Sequence, residues 1–264
     1  MPPQNSLNRS AEYGSSDFDI RHRFTAAVTY SIPGISGFAQ ALKGWQLNGI
    51  LTLQTGQPWL VLDKVDGFAT GGNPLSDFSG RWDFFGNPKD FKSGPRSIMF
   101  CSGPGAGGCS QTSGRTGQVF NAADSNSLWA KCLAVAPDMG TLNKAGCFVA
   151  GNSVMVPPTL GTYGTMGRNI FRDSGFQDLD FSVFKDFHIR ERYTAEFRLE
   201  TFNTLNHPNY ANPYGSSDQS YLGNDPSSPS TFGCGCATPD VMAGNPIIGS
   251  GSARVMQLGF KLSY

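Results

Sequence analysis

The sequence predicts an all-β fold, an antiparallel transmembrane β-barrel segment with long loops, and three observations carry that expectation. Five segments alternate apolar and polar residues, which marks strands with two unlike faces. No apolar run reaches the roughly 18 residues a transmembrane helix needs. Gly (33), Pro (17) and aromatic residues (12%) are plentiful while only 15% of residues are charged, a mixture that suits strands joined by turn-rich connections.

The first alternating segment is about 19–32, with Ile20, Phe24, Ala26, Val28, Tyr30 and Ile32 on one face. Arg23, Thr25, Thr29 and Ser31 fall on the other, and His22 interrupts the apolar face near its start. In the second, about 42–55, Trp45, Leu47, Gly49, Leu51 and Leu53 alternate with Gln46, Asn48, Ile50, Thr52 and Gln54. The third, about 176–187, sets Leu179, Phe181, Val183, Lys185 and Phe187 against Asp178, Asp180, Ser182, Phe184 and Asp186. The fourth, about 193–203, sets Tyr193, Ala195, Phe197, Leu199 and Thr201 against Thr194, Glu196, Arg198, Glu200 and Phe202. The fifth, about 254–264, ends the chain with Met256, Leu258, Phe260, Leu262 and Tyr264 on one face. Ten residues at ~3.3 Å each, tilted by ~40°, cover ~25 Å, the height of an outer-membrane apolar band.

Connections alternate between short (33–41 and 188–192) and long (about 56–175 and 204–252), the pattern of periplasmic turns and extracellular loops. The strand ends beside the short turns and the C-terminus carry Tyr30, Trp45, Phe187, Tyr193 and Tyr264 on the apolar face, an aromatic girdle for a lipid–water boundary. The same rings would also serve as core aromatics of a β-sandwich. Polar residues of the opposite face, Asp180, Glu196, Arg198 and Glu200 among them, suit a wet or plugged lumen. A hairpin symmetric about 188–192 would bring Arg198 to Asp180 and Ser182 in an ion pair. Lys185 departs from its apolar face, one pleat from the aromatic edge, within snorkelling reach of the interface.

Equal numbers of basic and acidic residues, 20 each, offer no electrostatic footprint for nucleic acid. Six cysteines (Cys101, Cys109, Cys132, Cys147, Cys234, Cys236) all fall in stretches read as loops, an even count that fits disulfides in an oxidising compartment. Sequence cannot choose among the roughly 15 pairings they allow. A structural zinc is disfavoured, because no Cys-x-x-Cys pair and no neighbouring histidine is present. His22, His188 and His207 lack ligand or triad spacing, and GPGAGG (103–108) lacks the Lys-Ser/Thr of a phosphate loop, so neither catalytic residues, metal nor cofactor are expected. The aromatic group Trp82, Phe84 and Phe85 reads as a hydrophobic knot folding its loop back on itself. Asn206, Pro208 and Asn212 read as the turn chemistry that ends the fourth strand.

The residues resemble a known family. SSDFDIRHRF and GWQLNGILTLQTGQPW are similar to late barrel strands of TonB-dependent receptors of the Oar-like, carboxypeptidase-regulatory-domain type. GTMGRNIFRDSGFQDLDFSVFKDFHIRERYTAEFRLETFNTLNHPNY resembles that family's penultimate hairpin, and MQLGFKLSY its terminal strand. The likeness covers about 18–55 and 161–264. It implies the last five strands of a barrel of about 22 strands. It further implies an assembly signal in Leu258, Phe260, Leu262 and Tyr264, read by the barrel-assembly machinery. Outer-membrane lipid, the remaining barrel with its plug, and TonB, acting through a region N-terminal to this chain, are the implied partners. The family's signal peptide, TonB box, plug and N-terminal domain have no counterpart in MPPQNSLNRSAEYGSSDFD, so the chain is expected to be a C-terminal fragment of a larger transporter, without enzymatic activity. The competing expectation is a secreted or cell-surface structural or adhesive β-sandwich.

Overall fold

The computed structural model of the chain describes residues 4–5, 7–16, 18–34, 39–61, 80–92, 98–103, 108–111, 122–189, 192–210 and 253–264. Among these, in chain order, lie strands β1 (Arg23–Ser31), β2 (Trp45–Gln54), β3 (Pro58–Trp59), β4 (Asp83–Phe85), β5 (Met99–Cys101) and β6 (Cys109–Gln111). Helices α1 (Ala122–Val135) and α2 (Met139–Ala145) follow, then β7 (Cys147–Ala150), β8 (Ser153–Val156), β9 (Phe171–Arg172), β10 (Phe176–Ile189), β11 (Tyr193–Phe202) and β12 (Val255–Ser263). Two compact units share the chain: one takes Met1–Asp19, Gly56–Ser174 and Tyr210–Ala237, the other Ile20–Thr55, Gly175–Asn209 and Thr238–Tyr264.

The second unit is a single antiparallel sheet in the order β1-β2-β10-β11-β12. Among the described residues it forms an open sheet, not a closed barrel, with β1 and β12 as its edges. The pairing puts apolar opposite apolar at every junction. One row reads Tyr30, Leu47, Val183, Leu199, Leu258, and the polar row beside it Thr29, Asn48, Ser182, Glu200, Gln257. A slip of one residue at any junction would turn a whole strand inside out, so the shared pattern specifies the register. The strand limits differ from the sequence expectation by more than a residue in three places, the first being β1, which begins at Arg23 and not near position 19. A 3-10 turn at Ala39–Leu42 replaces the expected start of β2, and β10 runs on through His188 and Ile189, which had been expected in the turn.

The first unit shows that 56–175, expected as a long loop, carries secondary structure of its own, so the described chain is mostly β with two helices. It holds a five-stranded sheet (β4-β8-β7-β5-β6), the β3–β9 pair and both helices. The helix has a period of its own in the sequence: Ser125, Trp129 and Cys132, at i, i+4 and i+7, are buried positions of α1. The Asp138 side chain caps α2, accepting from the backbone N–H groups of Gly140 and Thr141. Trp82 belongs to a buried core with Trp59, Val61, Phe91, Phe148, Met155 and Phe171, and Phe84 packs against it, whereas Phe85 is exposed. Phe171 stacks on Trp59 (4.6 Å between centroids) and on Phe91 (5.4 Å), with Phe84 edge-on at 5.0 Å.

Four of the six cysteines pair within this unit. Cys101–Cys109 bridges facing positions of β5 and β6, and Cys132–Cys147 ties α1 to β7. Cys234 and Cys236, with the expectations for Asn212 and most of the 204–252 loop, lie outside the described residues. The Cys132–Cys147 bridge spans 15 residues. Replacing both of its cysteines with alanine is expected to lower stability by about 3 kcal/mol, the chain-entropy value for such a loop. A chemical-denaturation midpoint for the variant checks this, and an unmoved midpoint would mean that packing alone holds α1.

The segment before β1 is fastened to this unit by two arginines. The guanidinium of Arg81 is 2% exposed and pairs with Glu12 while donating to the Ala11 carbonyl (3.3 Å). Gln4 accepts from the Arg81 backbone N–H (2.8 Å) and donates to the Gly164 carbonyl (2.8 Å). Arg172 pairs with Asp19 and donates to the Gly56 carbonyl (3.1 Å) and the Ser15 hydroxyl (3.2 Å).

Candidate membrane wall and its two faces

On β11 burial runs opposite to that of a water-soluble protein, and the edge strands β1 and β12 are open on both faces. On β11 the apolar residues Tyr193, Phe197 and Leu199 are exposed, while Thr194, Glu196, Arg198 and Glu200 across the pleat are each partly covered. On β12, Met256, Leu258, Phe260 and Leu262 are all exposed, Leu258 at 82%. Phe24, Val28 and Tyr30 of β1 and Phe181 of β10 continue the open apolar face. So large an apolar surface is a place for lipid or protein, not for water.

The five predicted aromatic positions lie on this face at the end of the sheet carrying the short turns. Their rows are staggered. Tyr30 faces Leu47, and Trp45 lies one pleat further toward the turn. Trp45 faces Lys185, with Phe187 one pleat beyond it. Phe187 faces Ala195, with Tyr193 one pleat beyond, and Tyr264 continues from Ser263, which faces Thr194. The Trp45 indole donates to the Ala41 carbonyl in the turn (2.7 Å), so its polar edge is satisfied where the ring leaves the sheet. Of the C-terminal set, Leu258 faces Leu199, Phe260 faces Phe197 and Leu262 faces Ala195, all on the outer strand β12.

Lys185 is more enclosed than a snorkelling lysine. It is 5% exposed, its ammonium donating to the Lys43 and Asp186 carbonyls and lying over the rings of Trp45 (5.5 Å) and Phe187 (4.3 Å). The aromatic edge thus wraps the charge that the alternation pattern left unexplained.

The other face is a connected polar surface. Thr29 donates to the Asn48 amide oxygen (2.9 Å), as does Gln46 (2.9 Å), and Asn48 donates to Ser182 (3.4 Å), so one ladder crosses β1, β2 and β10. Glu200 stands opposite Ser182 and Gln257 in that row. Arg198 does not meet Asp180 or Ser182 as expected. It stands opposite Phe184, stacks over that ring (5.1 Å) and pairs with Glu196 on its own strand. The two extra residues of β10 move the hairpin's midpoint from position 190 to 191, shifting Arg198 by one pleat. Asp180, two pleats away from Phe184, accepts from the Asn203 backbone N–H (3.0 Å).

Of the asparagines that close the sheet beyond β11, the sequence reading singled out Asn206 but not Asn203 or Asn209. Asn203 (φ 47°) and Asn206 (φ 51°) take left-handed conformations that asparagine tolerates. The Asn203 side chain brackets the backbone of His207, donating to its carbonyl (2.9 Å) and accepting its N–H (2.9 Å). Asn209 does the same to Gln177, with bonds of 2.8 and 2.9 Å, so its amide stands in for a paired strand residue beside β10. Asn206 accepts the Arg254 N–H (3.1 Å), which brings the two ends of the 207–253 connection together. The N-x-x-N-x-x-N spacing of 203–209 was the available signal.

No helix among the described residues is long and apolar enough to cross a membrane, which leaves crossing by strands untouched. The family model described as "Outer membrane beta barrel domain" matches residues 1–240. No curated protein and no solved structure matches the chain.

Proposed function

The chain belongs to the outer membrane beta barrel domain family and resides in the outer membrane, and from that premise we propose that it forms wall of a TonB-dependent transporter of the Oar-like type, not an enzyme. The observation that carries the reading is the pairing of an exposed apolar face with a hydrogen-bonded polar face across one unbroken register. Lipid suits the first and a wet or plugged lumen suits the second. The aromatic stagger supports the embedding. The girdle positions climb one pleat, or two residues, at each of three junctions and not at the fourth. Six residues at ~3.3 Å against four spacings of ~4.8 Å give a tilt of about 45°, in the range of outer-membrane strands. One membrane plane tilted that way against the strands would meet Tyr30, Trp45, Phe187, Tyr193 and Tyr264 together. In this reading β1 and β12 pair with further strands of a barrel of about 22, because lipid tolerates no open edge. The plug and the assembly machinery are partners, the latter through Leu258, Phe260, Leu262 and Tyr264, and TonB acts through a plug-side segment.

The test is genetic. Uptake of labelled siderophores, glycans and peptides is compared among the parent strain, a strain lacking this gene and a strain lacking TonB. One compound whose uptake falls to the same level in both deletions supports transport. Uptake lost without this gene but intact without TonB would leave a barrel of some other kind.

A further inference from the structure

We propose that the polar face carries a site for a hard divalent cation of the calcium class, built on Asp178 and Asp180 with Thr52 beside them, at the end of β10 away from its short turn. Asp178 faces Thr52 in the adjacent strand, and Asp180 follows two residues later on the same face. Residues so placed are about 6.6 Å apart along a strand, and a calcium ion binds oxygens at about 2.3–2.6 Å, so one ion can take an oxygen from each carboxylate. Asp178 is only 8% exposed, and its Oδ1 is buried with no hydrogen-bond partner. One Asp180 oxygen is committed to the Asn203 N–H, and the other is the donor the site uses.

A buried carboxylate beside a second carboxylate is strongly disfavoured unless positive charge is supplied. Among the described residues, the basic side chains of this face do not supply it. Arg198 lies opposite Phe184, six residues further along β10, or about 20 Å at strand rise. Lys261 faces Glu196, further still. Arg23 sits two strands over and one pleat along, about 12 Å away, in the row of Gln54 and Phe176. Arg254 donates to the Thr204 carbonyl.

The donors also select the ion. Two carboxylates and a hydroxyl are all oxygen, which suits calcium or magnesium and not zinc or copper. Among the described residues no group of three or more His, Cys, Asp or Glu side chains converges, so the remaining coordination falls to water. Such a site is of the weak extracellular class, with Kd of about 0.1–1 mM. The inference rests on the sheet and its register, and holds or fails independently of transport.

The full chain, refolded in detergent micelles, is titrated with calcium chloride by calorimetry and with terbium by luminescence, calcium serving as competitor. We expect saturable binding by the parent protein. Asp178→Asn and Asp180→Asn should each weaken it at least tenfold, Thr52→Val should weaken it less, and Glu200→Gln, which removes the same charge elsewhere on the face, should leave it unchanged. Circular dichroism of each variant checks that the sheet has formed, and Thr52→Val keeps the test open should an aspartate variant not fold. Absent saturable binding, or equal losses in Glu200→Gln and Asp178→Asn, overturns the site and leaves Asp178 neutralised by a proton.

Discussion

Arginine in place of Val183 is expected to destabilise the membrane-embedded sheet by about 2–4 kcal/mol, the cost of a charge on the lipid side at mid-depth. Val183 sits centrally in β10, in the row Tyr30, Leu47, Val183, Leu199, Leu258. A guanidinium there has only apolar neighbours in its row and a long reach to either interface. The companion variant Ser182→Arg places the same group one residue away, on the opposite face beside Asn48 and Glu200. It should cost well under half as much, because that face already holds charge and offers a carboxylate acceptor. Unfolding in urea from lipid vesicles, followed by tryptophan fluorescence, measures both. Equal penalties would mean that the two faces meet the same solvent, and the membrane orientation derived from the register would be wrong.

Arg81→Ala should destabilise the unit holding the disulfides by about 3–5 kcal/mol, the penalty for removing one member of a buried ion pair. Burial pulls the Arg81 guanidinium below its usual pKa, Glu12 opposes that effect, and Arg168 adds to it. The group nonetheless stays protonated, as arginine does in proteins. Truncation removes the charge opposite Glu12 and the donor to the Ala11 carbonyl in a covered site, leaving Glu12 only the Gln4 N–H and Gln4 Oε1 only the residue 81 backbone N–H. Arg172→Ala is the contrast. Its pair with Asp19 is partly open, at 23% and 35% side-chain exposure, so solvent screens it and the charge pairing itself is worth about 1 kcal/mol or less. Limited proteolysis and denaturation of the two variants should rank them clearly. Similar losses would show that Arg81 contributes through its stem packing and not through its buried charge.

Where the sequence reading succeeded, it did so through period-two alternation, which acts within a single strand. Leu258, Phe260 and Leu262 reveal their common face without knowledge of their neighbours, because successive strand side chains point to opposite sides. Where it failed, the information was non-local. Arg198 was assigned partners from an assumed turn, and two residues of extra strand moved it to Phe184 and Glu196. Lys185 was an exception to the pattern until Trp45 and Phe187 were seen around it. The helix through Trp129 was hidden by the expectation of a loop, and the Asn209 bracket on Gln177 joins residues 32 apart.

The sequence by itself determined that these segments are strands, which side of each is oily, and that short turns alternate with long connections. Those properties follow from local backbone geometry and side-chain polarity. Only the tertiary structure decided the register that lines five apolar faces into one surface, the pairing of Cys101 with Cys109 and Cys132 with Cys147, and the packed core inside the long insertion. The physical reason is that pairing and packing are chosen by competition among all segments at once. A chain read one stretch at a time shows what each stretch could bury, but not the partner against which it is buried.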